Sequence, residues 1–266
     1  MGRKMFPGLA CALAAFLTAP AGAQAVDEGP FKWRPAADDG APRPWAIFLP
    51  GGGGLEVFHD TRHYYRWAEW FNRRGIDVLL VDHLALSEAE AQSAEGKRGE
   101  NPGEMLVRFA VQGVAEARDQ GAMDSRCPGI VVGWSLGGEG ALNLASRARS
   151  RLDGLVAAVG FYPSIRYQRK DFKPRIPILT FQGEDDDITP LDDLLAFSFA
   201  NGAERFDVRI HSLAHHGFDV EGLAEPVSWN GGTFAYAPAA AADAESVLDN
   251  EMRYWGMVGK TACALD

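Results

Sequence analysis

Short apolar runs alternate along this chain with longer segments whose apolar residues recur at helical spacing. Trp45 to Leu49, Ile76 to Val81, Gly129 to Val132, Leu155 to Phe161, Ile176 to Phe181 and Phe206 to His211 read as strands, the first of them short and buried. Between them, Arg62 to Arg74, Met105 to Gln120, Glu139 to Arg149 and Pro190 to Ala200 read as helices, and Pro238 to Gly256 reads as an alanine-rich closing helix. Gly75 stands where a helix C-terminal cap belongs, and Thr189-Pro190 reads as the capped start of the helix that follows. Val26 to Pro44, rich in Pro, Asp and Gly, reads as an extended lead-in, and the polar stretch Ser87 to Gly103 as a long, lid-like loop. Near-continuous apolar strands alternating with helices predict an α/β fold with a mainly parallel sheet covered by helices on both faces. Ligands of such sheets gather at the C-terminal edge of the strands.

The first residues do not follow this pattern. Arg3 and Lys4 precede an apolar stretch from Leu9 to Leu17, and Ala21-Gly22-Ala23 and Ala23-Gln24-Ala25 offer small-residue cleavage sites. Residues 1–25 are therefore expected to be a signal peptide and 26–266 a single α/β domain, secreted or periplasmic, with no stable membrane insertion after signal removal. The 266 residues carry 26 basic and 36 acidic side chains. Without Arg3 and Lys4 the balance is 24 against 36, a net charge of −12, which argues against nucleic acid as a partner. Cys127 and Cys263 remain after the signal. An oxidising compartment favours pairing them, two separate thiols being the other reading.

Candidate chemistry centres on Gly133-Trp134-Ser135-Leu136-Gly137-Gly138, at the junction of an apolar strand and a small-residue helix. A serine on such a strand-to-helix turn presents its hydroxyl to substrate, and the next backbone N–H, that of Leu136, points to where an oxyanion forms. An ordinary N-cap serine is the duller alternative. Two later loops decide between these readings. The run Asp185-Asp186-Asp187 follows one strand and His215-His216 follows the next. A carboxylate there can orient a histidine, and the histidine can activate the serine. Serine, acid and histidine in that order, each after a different strand, is the order of α/β-hydrolases. His211, His215 and His216 as a metal site lack a ligand at suitable spacing, so neither metal nor organic cofactor is expected.

Around these residues the chain resembles the dienelactone hydrolase family. The resemblance rests on the elbow block Gly133 to Gly138, on Gly183-Glu184-Asp185-Asp186 with Pro190, and on His216-Gly217-Phe218-Asp219. Phe161-Tyr162-Pro163 and Tyr236-Ala237-Pro238 support it, and it spans roughly Trp45 to Trp255. It implies the α/β-hydrolase fold, Asp186 as the acid, His216 as the base and Ser135 as the nucleophile. Founding members carry cysteine where this chain has Ser135, paired with a glutamate on the loop after the first strand; the nearest acid here is Glu56. Serine-bearing relatives are mostly esterases, lipases or carbohydrate-ester hydrolases, several of them exported, which implies a small-molecule ester substrate. The loop Pro50 to Gly54 resembles oxyanion loops of the HGGG type and points to Gly52 N–H as the second oxyanion donor.

Other features carry weaker signals. Trp134, beside the serine, is a candidate substrate contact. His59, His63, Tyr64, Tyr65, Trp67 and Trp70 read mostly as packing, some of them as pocket wall. Arg166, Arg169 and Lys170 could meet an anionic substrate but read better as a solvated turn, and Asp82 as a cap rather than a second acid. A peptidase or an acyltransferase would use the same triad, and a broken triad would leave a binding protein on a hydrolase scaffold.

Overall fold

The computed structural model describes residues 25, 28–37, 39, 41–92, 99–147, 152–168, 171–259 and 263. The proposed signal segment lies outside the described residues up to Gln24, as do Arg169 and Lys170. The core strands are β2 (Trp45–Leu49), β3 (Asp77–Val81), β4 (Gly129–Trp134), β5 (Leu155–Phe161), β6 (Ile178–Gly183) and β7 (Phe206–His211), all parallel. With β1 (Phe31–Arg34) they form a seven-stranded sheet in the order β1-β3-β2-β4-β5-β6-β7.

Alternation along the strands feeds two cores. Trp45, Ile47 and Leu49 of β2 face α3 (Pro102–Asp119) and α4 (Leu136–Ala145) through Val107, Val114 and Leu142. Ala46 and Phe48 face the other side, where Trp67 and Phe71 of α1 (His63–Asn72) pack together with Leu248 and Met252 of the closing helix. Helices on both faces are what strands apolar on both sides require. This is the α/β-hydrolase fold.

Four features depart from the sequence reading. The lead-in contains β1, antiparallel to β3 with Phe31 opposite Val81, because Phe31 and Trp33 turn inward from an otherwise polar stretch. The segment read as a loop from Ser87 begins inside a helix, α2 (His83–Gln92), which buries only His83 and Leu86 and so carries almost no periodic signal. Residues 93–98 lie outside the described residues. A hairpin of β8 (Val227–Trp229) and β9 (Gly232–Phe234) stands apart from the main sheet. Helix α3 starts three residues before Met105, since the Asn101 side chain accepts from Gly103 N–H and Glu104 N–H, with Pro102 in the first turn.

Gly75 closes α1 at φ +77°, its N–H on Asn72 O. The remaining helices are α5 (Leu191–Ala200) and α6 (Pro238–Tyr254). Cys127 and Cys263 form a disulfide that ties the tail to the approach to β4. Among the described residues no helix is long and apolar enough to cross a membrane.

Candidate active site

Ser135 is the single residue between β4 and α4, held at φ 52° and ψ −114°, in a region side-chain-bearing residues rarely enter. Its neighbours make that turn possible. A Cβ on Gly137 would lie 1.8 Å from Leu49 O, and one on Gly133 would lie 2.1 Å from Gly137 O. Backbone bonds hold the elbow against the end of β5: Ser135 N–H donates to Phe161 O (3.0 Å) and Ser164 N–H to Ser135 O (2.9 Å). Leu136 N–H, at the positive end of α4, finds no acceptor among the described residues. Neither does Gly52 N–H, on the turn that Gly54 N–H closes to Gly51 O.

The loop after β6 separates the three aspartates. Asp186 is buried and its Oδ2 lies 2.8 Å from His216 Nδ1. Asp187 instead accepts Thr233 N–H (2.8 Å), and the Asp185 carbonyl contacts His215 Nδ1 at 2.9 Å. Asp186 also accepts from Ile188 N–H, Thr189 N–H, Thr189 Oγ1–H and Gln182 Nε2–H. Burial pushes its carboxyl up, but the hydrogen bonds and charge of His216 and the bonds from Thr189 outweigh burial and hold it below the usual range. Thr189 does not cap α5: Pro190 occupies the cap position, and the threonine hydroxyl, 3.2 Å from His216 Nδ1, is spent on the carboxylate. With Asp186 on Nδ1, the proton of a neutral His216 sits there, and Nε2 is left as the basic atom.

Ser135 and His216 line one cavity of about 300 Å³, with Gly52 and Trp134 also in its wall. Phe58, Ile188, Trp229 and Phe234 make it apolar, and Glu56 brings the one carboxylate. No lysine or arginine is among the residues lining it. Arg166 lines a different depression, with Pro163 and Ser164. Ser135 Oγ has no hydrogen-bond partner among the described residues, so the acid–histidine half of the arrangement is closed and the serine half is not. Apo sites often show this looseness.

Trp134, a candidate substrate contact, lies in the wall of this cavity. It is only 1% exposed, stacks on Phe161 (centroids 5.3 Å apart) and donates its indole N–H to buried Asp219. Its polar atom is therefore not available to a substrate. Sequence reasoning missed the role of Asp219. Its carboxylate also accepts from Trp67 Nε1–H (2.9 Å) and Tyr162 O–H (2.7 Å). The Tyr162 ring packs on His216 with centroids 4.4 Å apart, so one carboxylate anchors both the indole wall and the support of the histidine. The only signal was its place three residues after His216. Asp82 accepts Ala85 N–H and caps α2, as read. Among the described residues no group of three His, Cys, Asp or Glu side chains is arranged to hold a metal ion.

An elbow serine and a buried acid–histidine pair at the C-terminal edge of a mainly parallel sheet define the class of α/β-hydrolases. The model of the dienelactone hydrolase family matches residues 66–252, and the chain belongs to that family. Comparison with curated protein sequences returns no match. Among solved structures, esterase 2 of Thermogutta terrifontis, phosphoramylated by tabun, superposes with a TM-score of 0.60 at 17% identity, covering 90% of this chain and 97% of that one. A dienelactone hydrolase-like promiscuous phosphotriesterase from metagenomic libraries gives a TM-score of 0.61 at 20% identity, covering 86% and 92%. Family and fold make this chain a hydrolase.

Proposed function

We propose that this chain is an exported serine hydrolase that cleaves carboxylic esters of small molecules through Ser135, Asp186 and His216. The observation that carries the reading is the 2.8 Å contact between buried Asp186 and His216 Nδ1, beside a strained serine in the same cavity. His216 Nε2 takes the Ser135 proton as Oγ bonds to the ester carbon. The carbonyl electron pair moves onto oxygen, where Leu136 N–H and Gly52 N–H receive it. As the intermediate collapses, the bond to the alcohol oxygen breaks and His216 returns the proton to that oxygen. Water then repeats both steps on the acyl-enzyme, with Asp186 holding the imidazole throughout.

Apolar walls and the lack of a lining cation favour an uncharged acyl group over an anionic lactone. Export is supported by the basic and apolar start of the chain and by the disulfide. The solved relatives described as an esterase and a phosphotriesterase agree with ester chemistry, at identities that carry the fold alone.

The test is hydrolysis of a p-nitrophenyl ester series by single variants. Ser135→Ala and Asp186→Asn are expected to lower kcat by about 10³-fold or more. Asp185→Asn and Asp187→Asn are expected to stay within about tenfold of wild type, since neither carboxylate reaches His216. A loss confined to Asp185 or Asp187 would overturn the assignment of the acid.

A further inference from the structure

Tyr64 occupies the first turn of α1 and is fully buried, yet it reaches the cavity of Ser135. Its hydroxyl oxygen accepts Gly51 N–H at 2.9 Å. A methyl group placed on Gly51 would lie 3.4 Å from Ser135 Cβ and 3.6 Å from the Tyr64 hydroxyl, so glycine, serine and phenol converge on one spot. Two things follow. Gly51 N–H is already committed to Tyr64 and is not free for substrate. The phenol proton has no acceptor among the described residues, although a buried donor is costly to leave unmatched. The ring cannot swing away to find one, being packed edge-on against His63 (centroids 4.6 Å) and Trp134 (5.2 Å).

We propose that the Tyr64 hydroxyl is a third oxyanion donor, aimed with Leu136 and Gly52 at the oxygen that becomes negative when Ser135 attacks. This rests on the ester-hydrolase reading. A donor fixed in advance, in a cavity with apolar walls, strengthens as charge develops and needs no rearrangement at the moment of reaction. The phenol does not transfer its proton. Burial, above all, holds its pKa well above the ordinary tyrosine value, so it stays a neutral donor across the working range.

The experiment compares wild type with Tyr64→Phe, and with Tyr65→Phe as a control outside the cavity. It measures kcat and KM on a p-nitrophenyl ester, inhibition by a trifluoromethyl ketone, whose serine adduct carries an oxyanion, and inhibition by the matching alcohol, which cannot form one. Tyr64→Phe is expected to lower kcat about 10²-fold with KM within about threefold, and to weaken the ketone by a similar factor but not the alcohol. Tyr65→Phe is expected to match wild type. Equal weakening of ketone and alcohol would mean that the phenol merely holds the Gly51 loop, and would overturn the proposal. So would an active Tyr64→Phe within twofold of wild type, which leaves the esterase reading standing. A wild-type protein that hydrolyses no ester and does not react with the ketone would overturn both.

Discussion

At the scale of single residues, Asp219 carries more of the site than its place in the sequence suggests. One buried carboxylate receives Trp67, Trp134 and Tyr162, and His63 Nε2 stands 3.7 Å away. Asp219→Asn replaces one acceptor oxygen with an N–H₂ that faces donors. It is expected to cost about 3 kcal/mol in urea unfolding, because a buried network loses bonds to a charge and gains an unmatched donor. Loss of activity should accompany it, through the Tyr162 ring beneath His216. Ser135, Asp186 and His216 were legible because each follows a strand, and strand ends can be read from apolar runs. The family resemblance carried by Gly183 to Asp186 and His216-Gly217-Phe218 then singled out Asp186 and His216 among their neighbours, and the fold brings these two into contact. The hydrogen bonds of Asp219, Thr189 and Tyr64 were not legible, although Tyr64 stood among the residues read as packing or pocket wall, because they depend on which groups the fold brings within 3 Å, and spacing along the chain does not encode that.

At the scale of elements, the strands of the parallel sheet were readable to within two residues, since burial on both faces leaves apolar runs in all of them but β7, a half-exposed edge strand. Short elements escaped for want of period. Strand β1 shows only two inward side chains, and α2 buries only two residues. The β8–β9 hairpin did leave a signal, Asn230-Gly231, whose positive φ angles of 53° and 85° suit a tight two-residue turn. That hairpin is fastened to the loops of Asp186 and His216, by Thr233 N–H on Asp187 and Ala235 N–H on His216 O.

Helix α4 holds a further consequence of packing. Glu139 is fully buried behind the elbow, and burial, outweighing the Ser164 Oγ–H and Tyr167 backbone hydrogen bonds and the charge of Arg166, pushes its pKa up to about 7. Between pH 4.5 and about 7 the folded state holds a proton that the unfolded chain releases, so stability falls as pH rises through that window. Glu139→Gln is expected to remove this slope. Its melting temperature should match wild type near pH 4 and exceed it at pH 8, by a free energy of at most roughly 3 kcal/mol. An equal offset at both pH values would contradict the assignment.

At the scale of the whole molecule, the sheet sets the site and the disulfide fastens the tail behind it. Cys127 and Cys263 are 136 residues apart in sequence. Closing so long a loop restricts the unfolded chain, and Cys127→Ser with Cys263→Ser is expected to cost about 2–4 kcal/mol while leaving ester hydrolysis near the wild-type rate at low temperature. The most direct measurement of the central claim is the site of covalent modification by a fluorophosphonate, read by intact mass and peptide mapping on the purified protein. The expected result is one adduct per chain, on Ser135, absent in Ser135→Ala and formed at least about 10³-fold more slowly in His216→Ala. An adduct that persists in Ser135→Ala, or a wild-type chain that takes up none, would contradict it.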